Sequence, residues 1–530
     1  MKDFIQKVEN FHITVTQWIT GTWSIIILRM VLESFSGNGL SLYLFLEVFV
    51  HPPLLFLSMN LALVIFIALY TKTSPINLLK ISIFTFPILL SMPIVDFVAS
   101  GGQGNIRSQY LFVPWPELLE KYVTFFGSNF TLGITYGVRL QLLLFILTTG
   151  AYLFYRTRKI WKTILGVVVG YTLFFIFTAL PSIVGALSYL PRRPWEISEI
   201  EIAQRFIGTR SIFSIHYPPE KIQALFNIEM GLILFPILVI FLLVIFYLWD
   251  RTKWKEFFKH LRYLRLFFHL GALGVGMFLG MKILRVPFDT SLYGILTIIS
   301  LVIAVTAIWV VSLTINDRND IAIDEISNPE RLLPRKIFTK DEFKSIGIIA
   351  ALLAFFGTIL VGYPFFMLGL ASMILGFIYS SPPFRIRYWP FISHAYMALG
   401  TVFLVMMGFL LFAPSGTLNN FPVNFMALLV LVVTLIMNLK DIKDIEGDKP
   451  NAVYTIPTIF GLERSKTIIA ILFFVSYLLF PLLLQAPQIF PTAIVFGLLT
   501  AFLIKMKKVH EGWIFTVYSL FVVVIALLVF

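Results

Sequence analysis

Long apolar segments separated by short polar loops fill the chain from end to end. About fifteen of these segments are about 17–25 residues long, which is enough for a helix to cross a bilayer. Helices satisfy their own backbone hydrogen bonds in lipid, so the pattern predicts an all-α polytopic membrane protein. The predicted spans lie near residues 12–33, 52–71, 77–98, 138–156, 162–185, 229–249, 265–284, 291–315, 345–361, 363–380, 391–413, 421–439, 467–485, 490–505 and 513–530.

A charged segment at residues 250–265, with the sequence DRTKWKEFFKHLRYLR, separates six predicted spans from nine. We therefore predict two domains. An N-terminal multi-span membrane domain comprises residues 1–250, and a second membrane domain comprises residues 251–530. The first 250 residues contain no group of side chains that we recognise as catalytic, so the sequence assigns them no role.

The charge of the chain agrees with insertion into a membrane. The chain is 58% hydrophobic and 13% charged, with a net charge of +13. Its basic residues cluster in short loops between spans, as membrane insertion requires, so we predict no nucleic-acid partner. With residues 250–265 in the cytoplasm, the basic loops at 316–344, 381–390, 440–466 and 505–512 lie there too. This distribution predicts a multi-pass protein of the plasma (inner) membrane with these loops on the cytoplasmic side.

The absence of cysteine excludes disulfides, thiolate zinc sites and cysteine nucleophiles. Acidic side chains are therefore the candidates for chemistry.

Two acidic triplets share the spacing i, i+3, i+7 at the ends of two apolar segments. We call them the first acidic stripe (Asp317, Asp320, Asp324) and the second acidic stripe (Asp441, Asp444, Asp448). At about 100° per residue, each triplet falls within roughly 60° of one helix face. One such stripe alone is often a solvated helix end. Two matched stripes beside a membrane, where like charges repel, favour a bound cation, and Mg²⁺ prefers carboxylate oxygens and phosphates.

The sequences around the two stripes resemble the UbiA superfamily of intramembrane prenyltransferases. Residues 316–324 read NDRNDIAID and precede PERLLPR at 329–335; residues 440–448 read KDIKDIEGD, with TIP at 455–457. Residues 379–387, YSSPPFRIR, are similar to a segment of the chlorophyll-synthase and archaeal-lipid branches. The resemblance covers about residues 258–530. It implies a nine-helix UbiA-like prenyltransferase bundle, preceded here by about six extra transmembrane helices.

The resemblance also implies an activity and a set of site residues. It implies a Mg²⁺-dependent transfer of a polyprenyl chain from its diphosphate to an aromatic or lipid acceptor, with release of diphosphate. The implied metal-binding residues are Asn316, Asp317, Asp320, Asp324, Asp441, Asp444 and Asp448. The basic candidates for a diphosphate cradle are Arg331, Arg385, Arg387 and Lys440, and Tyr379 is a candidate for cation stabilisation through its ring.

Two alternatives remain open at this point. Each basic residue, Arg387 above all, is also explained as a loop charge that sets topology. The chain is also explained as a transporter or binding protein with a non-catalytic prenyltransferase-like half, although all six acids are present. One departure from the family pattern concerns the acceptor: where family members commonly carry an Arg in the first helix, this chain reads Leu266-Phe267-Phe268-His269.

Overall fold

The structure, a computed structural model, divides the chain into two compact units. One comprises Met1–Ser211 and His216–Trp254, and the other comprises Ile212–Ile215 and Lys255–Phe530. The structure describes residues 2–35, 49–101, 110–127, 134–189, 191–207, 210–213, 215–217, 222–389, 392–413, 416–450 and 453–529.

Most of the described residues are helical. Within the described part of the chain, fifteen helical segments are long and apolar enough to cross a membrane, judged by length and composition, with six in the first unit and nine in the second. The prediction of an all-α polytopic membrane protein is therefore confirmed.

The first unit contains six long spans, several short helices and a two-stranded hairpin. Its elements are α1 (Lys2–Asn10), α2 (Val15–Phe35), α3 (His51–Thr71), α4 (Pro75–Thr85), α5 (Ser91–Ala99), α6 (Trp115–Val123), α7 (Tyr136–Thr157), α8 (Ile160–Thr178), α9 (Leu180–Leu187), α10 (Glu199–Ile207), β1 (Arg210–Ile212), β2 (Ile215–Tyr217) and α11 (Ile222–Trp249). Residues of the hairpin are divided between the two units. The charged segment forms α12 (Arg251–Lys259), and the division between the units falls inside it.

Polar side chains buried within the first unit make contacts with one another. Arg29 and Glu33 form an ion pair of 2.9 Å on one helix. The two ring nitrogens of His51 lie 2.5 Å from Asn227 Oδ1 and 2.6 Å from the Tyr110 hydroxyl. Polar groups in an apolar bundle are costly unless they are paired, so the ion pair within α2 reduces the cost of burying its two charges, and the contacts of His51 join α3 to α11 and to Tyr110.

The second unit contains nine spans and three short helices. Its helices are α13 (Tyr263–Leu284), α14 (Leu292–Asn319), α15 (Ile321–Ser327), α16 (Lys340–Ile359), α17 (Tyr363–Ser380), α18 (Ile392–Leu410), α19 (Val423–Ile436), α20 (Asp441–Asp448), α21 (Ile456–Phe460), α22 (Leu462–Leu483), α23 (Phe490–Lys505) and α24 (Glu511–Val529). The most buried spans are α14 and α18, so these two helices lie innermost.

Glycines allow α13 and α18 to approach each other closely. A Cβ atom at Gly276 would lie 1.9 Å from the carbonyl oxygen of Val405, and one at Gly408 would lie 2.1 Å from that of Leu273. Neither distance leaves room for a side chain. Small residues at such crossings bring helix backbones together, and this close crossing fixes α13 and α18 as neighbours.

We expect Gly408→Ala to destabilise the second unit by about 1–3 kcal/mol, because the added methyl group forces two helix backbones apart. Thermal unfolding of the purified full chain measures the effect. The matched control is Gly400→Ala on the same helix, where a Cβ meets no atom within 4 Å. The control should unfold at the same temperature or slightly higher, since alanine favours a helix over glycine by up to about 1 kcal/mol. Equal stability of the two variants would contradict the close crossing.

Candidate active site

A large cavity inside the second unit contains most of the predicted site residues. It holds about 3640 Å³ of empty space, counting the part that is open to the surroundings. Its wall is formed by residues of α13, α14, α17, α18, α19, α22 and α24 and is mostly apolar. Charged side chains concentrate at the end of the bundle where α14 ends and α20 begins. The cavity therefore has one charged end and a long apolar body.

The first acidic stripe lies on two helices rather than one. Helix α14 ends at Asn319, Asp320 has φ −108° and ψ 18°, and α15 begins at Ile321. The prediction of a single helix face is therefore wrong for this stripe, because the α-helical conformation is interrupted at Asp320. Asp320 and Asp324 line the cavity together with Asn316, whose amide nitrogen donates to Asp320 at 2.5 Å.

Asp317 is buried beside basic side chains and does not line the cavity. It pairs with Arg262, which lies just before α13, and its carboxylate is 3.7 Å from the Arg331 guanidinium. Arg331 also pairs with Asp324. Arg331 thus joins two members of the first stripe, and it lines the cavity. These pairings offset part of the repulsion within the stripe.

The second acidic stripe lies on one short helix, as the spacing predicted. A 3₁₀ turn at Met437–Lys440 ends the apolar span and leads directly into α20. Asp441, Asp444 and Asp448 all line the cavity. The turn places the stripe at the same end of the cavity as Asp320 and Asp324.

Two of the predicted basic residues stand between or beside the stripes. Arg387 pairs with Asp320 of the first stripe and lies 3.6 Å from Asp448 of the second. Lys440 donates to the Tyr379 hydroxyl at 2.8 Å and lines the cavity with it. Arg387 contacts two carboxylates, whereas a loop charge that only sets topology needs no such partners.

Arg385 lies outside the cavity wall. Its guanidinium donates to the backbone carbonyl of Asn319 at 3.1 Å. This contact holds the loop between α17 and α18 against the end of α14. The structure therefore gives Arg385 a positioning contact and leaves its predicted contact with diphosphate without geometric support.

Burial in the cavity wall alters the pKa of the last carboxyl group of each stripe, which are those of Asp324 and Asp448. Burial raises the pKa of Asp448 to about 7; Arg387 opposes this shift, and Asp444 and Asp441 add to it. Burial also raises the pKa of Asp324, while Arg331 lowers it. Both groups therefore hold their negative charge at a cost, which a bound cation would reduce.

Several carboxylate oxygens in this wall accept no hydrogen bond from any residue that the structure describes. They are Asp320 Oδ1, Asp324 Oδ2, Asp441 Oδ2, Asp444 Oδ1 and Asp448 Oδ1. Buried acceptors of this kind suit a hard divalent cation, which takes oxygen ligands. Among the described residues, no three His, Asp or Glu side chains are grouped closely enough to hold an ion. The oxygen donors match Mg²⁺ in chemical type, but they are not drawn together into a closed metal site, and Arg331 and Arg387 occupy part of the space between the carboxylates.

The structure adds residues that the sequence did not identify. Arg262 and Arg265 line the cavity four residues and one residue before Leu266, which begins the Leu266–His269 stretch. His394 is buried in the wall, with Nε2 3.2 Å from Asp441. His269 also lines the cavity, and its Nδ1 lies 2.7 Å from the Arg265 carbonyl. A polar ring inside an apolar helix was the only sequence signal for His394.

Known proteins resemble the second half of the chain. The UbiA prenyltransferase family matches residues 273–528. Digeranylgeranylglyceryl phosphate synthase of Pyrococcus horikoshii is 28% identical over 164 residues, which are 31% of this chain and 56% of that protein. Chloroplastic chlorophyll synthase of Oryza sativa subsp. japonica is 31% identical over 163 residues, or 29% and 43% of the two chains. The chain thus spans about half the length of these two relatives.

A UbiA homologue from Archaeoglobus fulgidus, solved with GPP and Mg²⁺, aligns with a TM-score of 0.42 and 20% identity. The alignment covers 51% of this chain and 97% of that one.

The nine spans and the acidic, largely apolar cavity define the second unit as a helical membrane domain with one charged site. Residues 273–528 match the UbiA prenyltransferase family. The resemblance inferred from the two stripes and the YSSPPFRIR segment is confirmed.

Proposed function

We propose that the protein is a Mg²⁺-dependent intramembrane prenyltransferase. It moves a polyprenyl chain from its diphosphate to a hydrophobic aromatic or lipid acceptor and releases diphosphate. The observation that carries this proposal is the meeting of both acidic stripes with Arg331, Arg387 and Lys440 at one end of a long apolar cavity. A prenyl diphosphate has the matching shape, with one highly charged end and one apolar chain.

The chemistry begins with the bond between the allylic carbon and the diphosphate oxygen. When this bond breaks, the oxygen keeps the electron pair, and an allyl cation remains. Mg²⁺ bound by the carboxylates would neutralise the growing charge of the leaving group. Arg331 and Arg387 stabilise the same charge, because their planar guanidinium groups donate two hydrogen bonds to phosphate oxygens. Lys440, held by Tyr379, adds a third positive charge.

The apolar body of the cavity serves the second step. The allyl cation forms a bond with a carbon or oxygen atom of the acceptor, and the acceptor loses a proton. Water would capture the cation first if it were admitted, so the apolar wall protects the intermediate. The Tyr379 ring faces the charged end beside Lys440 and is positioned to stabilise positive charge through its face.

We propose that residues 251–530 carry this activity. All seven metal-binding residues and all five catalytic candidates that the resemblance implies lie in this range, and ten of these twelve line the cavity. Residues 1–250 form a separate membrane domain to which we assign no catalytic step. We place the charged end of the cavity at the cytoplasmic face of the plasma (inner) membrane, because the basic loops of the second half are predicted on that side.

The proposal is tested with membranes that contain the full chain. Labelled geranylgeranyl diphosphate, Mg²⁺ and a pooled lipid extract are added, and products are identified by mass. We expect label in a new lipid together with an equal amount of free diphosphate. Membranes that contain the Asp444→Ala variant are the control. Equal labelling by the wild type and this variant, or no labelling by the wild type with either lipid or aromatic acceptors, would refute the proposal.

A further inference from the structure

Three glycines in helix interiors of the second unit have no packing reason to be glycine. They are Gly271 and Gly274 on α13 and Gly400 on α18, and a Cβ atom at any of them would meet no atom within 4 Å. Glycine inside a helix lowers stability relative to alanine. Gly276 and Gly408 on the same two helices are required by the close backbone crossing, but this reason does not apply to the other three.

All three glycines line the large cavity. Gly271 and Gly274 are three residues apart, so they lie on the same face of α13. Gly400 lies on α18, which packs along α13. Gly271 and Gly274 are exposed and Gly400 is half-buried, so the space at their Cβ positions belongs to the open part of the cavity, where the missing side chains leave a recess in the wall.

The recess lies at a distance from the charged end. Gly271 is nine residues beyond Arg262, or about 14 Å along the helix axis, and Gly274 is about 4.5 Å further. Gly400 is six residues beyond His394, or about 9 Å. Buried carboxylate oxygens of Asp324 and Asp448 that accept no hydrogen bond face the same cavity at its charged end. These acceptors suit a cation, which under the proposed function would bind the diphosphate of the donor at that end, and the recess is where the attached chain would lie.

We propose that Gly271, Gly274 and Gly400 form a recess that takes the middle section of a long prenyl chain, so that the protein selects long prenyl diphosphates over short ones. This inference rests on the proposed function and specifies its donor. A dimethylallyl group, with bonds of about 1.5 Å, ends within roughly 5 Å of its diphosphate and does not reach the recess. A geranylgeranyl chain bound at the same end passes along it. The three glycines are thus residues that determine specificity.

The test measures binding of two unreactive donor analogues to the full chain in lipid nanodiscs with Mg²⁺. The analogues are the S-thiolodiphosphates of the geranylgeranyl and dimethylallyl groups, and the variants are Gly271→Leu, Gly274→Leu and the milder Gly274→Ala. We expect each Leu variant to bind the geranylgeranyl analogue at least about 10-fold more weakly, because the added side chain fills the recess. Binding of the dimethylallyl analogue should change less than about twofold, because that group stops short of the recess.

Gly512→Leu is the matched control. Gly512 also lies in a helix with open space at its Cβ position, but it does not line the cavity. It should leave the affinity for both analogues unchanged. Gly274→Ala should keep or raise the unfolding temperature, which separates a filled recess from a damaged fold.

Each remaining outcome overturns the inference. If the Leu variants lose both analogues equally, the glycines act on the fold or on the charged end. If they lose neither, the glycines face lipid rather than the chain. If the wild-type protein binds neither analogue, the proposed function fails, and the donor specificity fails with it. If the wild-type protein binds both analogues and the Leu variants prefer the geranylgeranyl analogue as strongly as the wild type does, only the role of the recess is refuted, and the proposed function stands.

Discussion

Replacing Asp444 or Asp320 by alanine is expected to lower the rate of prenyl transfer by at least about 100-fold, the loss typical of removing one group that stabilises developing charge. Both carboxylates line the cavity, and each has one oxygen that accepts no hydrogen bond. The measurement is the initial rate of label transfer from geranylgeranyl diphosphate, with the amount of folded protein determined for each variant.

The two substitutions differ in their expected effect on stability. Asp320 pairs with Arg387, so its removal leaves a partly buried guanidinium with only Asp448 nearby, and some loss of stability follows. Among the described residues, Asp444 has no basic partner within 4 Å, so its removal relieves repulsion and should leave unfolding unchanged. A slow Asp444→Ala variant with normal unfolding therefore assigns the carboxylate to the reaction.

Two acidic residues on the same short helices provide matched controls. Glu325 on α15 and Glu446 on α20 are exposed and do not line the cavity. Glu325→Ala and Glu446→Ala remove the same charge from the same region and should change the rate by less than about twofold, the small effect expected of exposed positions. If these variants were as slow as Asp444→Ala, the stripes would act only through the net charge of the loops.

The architecture was accessible from the sequence because its causes are local. A run of about 20 apolar residues is forced into a helix by the cost of unpaired backbone groups in lipid. The six Asp residues are equally visible, since their spacing is a property of one short segment. These features need no knowledge of which helices are neighbours.

The sequence could not show which acidic residues face the cavity and which pair with basic side chains, because this depends on contacts between residues that are far apart in the chain. Asp317 has the same spacing as Asp320 and Asp324, yet it is turned to Arg262, 55 residues earlier. His394 reaches Asp441 only because α18 and α20 meet at the cavity. The interruption of the helix at Asp320 also gave no signal, since the residues around it are compatible with a continuous helix.

Removing divalent cations is expected to abolish prenyl transfer, and Mg²⁺ or Mn²⁺ should restore it. The five carboxylate oxygens without hydrogen bonds are hard ligands, and the chain contains no cysteine to bind a softer metal. The measurement is transfer of labelled prenyl chain in membranes treated with excess chelator and then given increasing Mg²⁺. Full turnover in the chelator would refute the roles assigned to both stripes.

A second measurement detects the cation without any turnover. A ligand that binds only the folded state stabilises it by about 2.7 kcal/mol at a concentration about 100 times its Kd. Mg²⁺ alone should therefore raise the unfolding temperature of the wild-type protein, and the gain should shrink in Asp444→Ala and persist in Glu446→Ala. Arg331 and Arg387 already contact Asp324 and Asp320, so they compete with the cation for these carboxylates. Adding the geranylgeranyl thiolodiphosphate should increase the rise in unfolding temperature that Mg²⁺ causes. The two guanidinium groups can then bind the diphosphate, so the carboxylates are free to bind the metal.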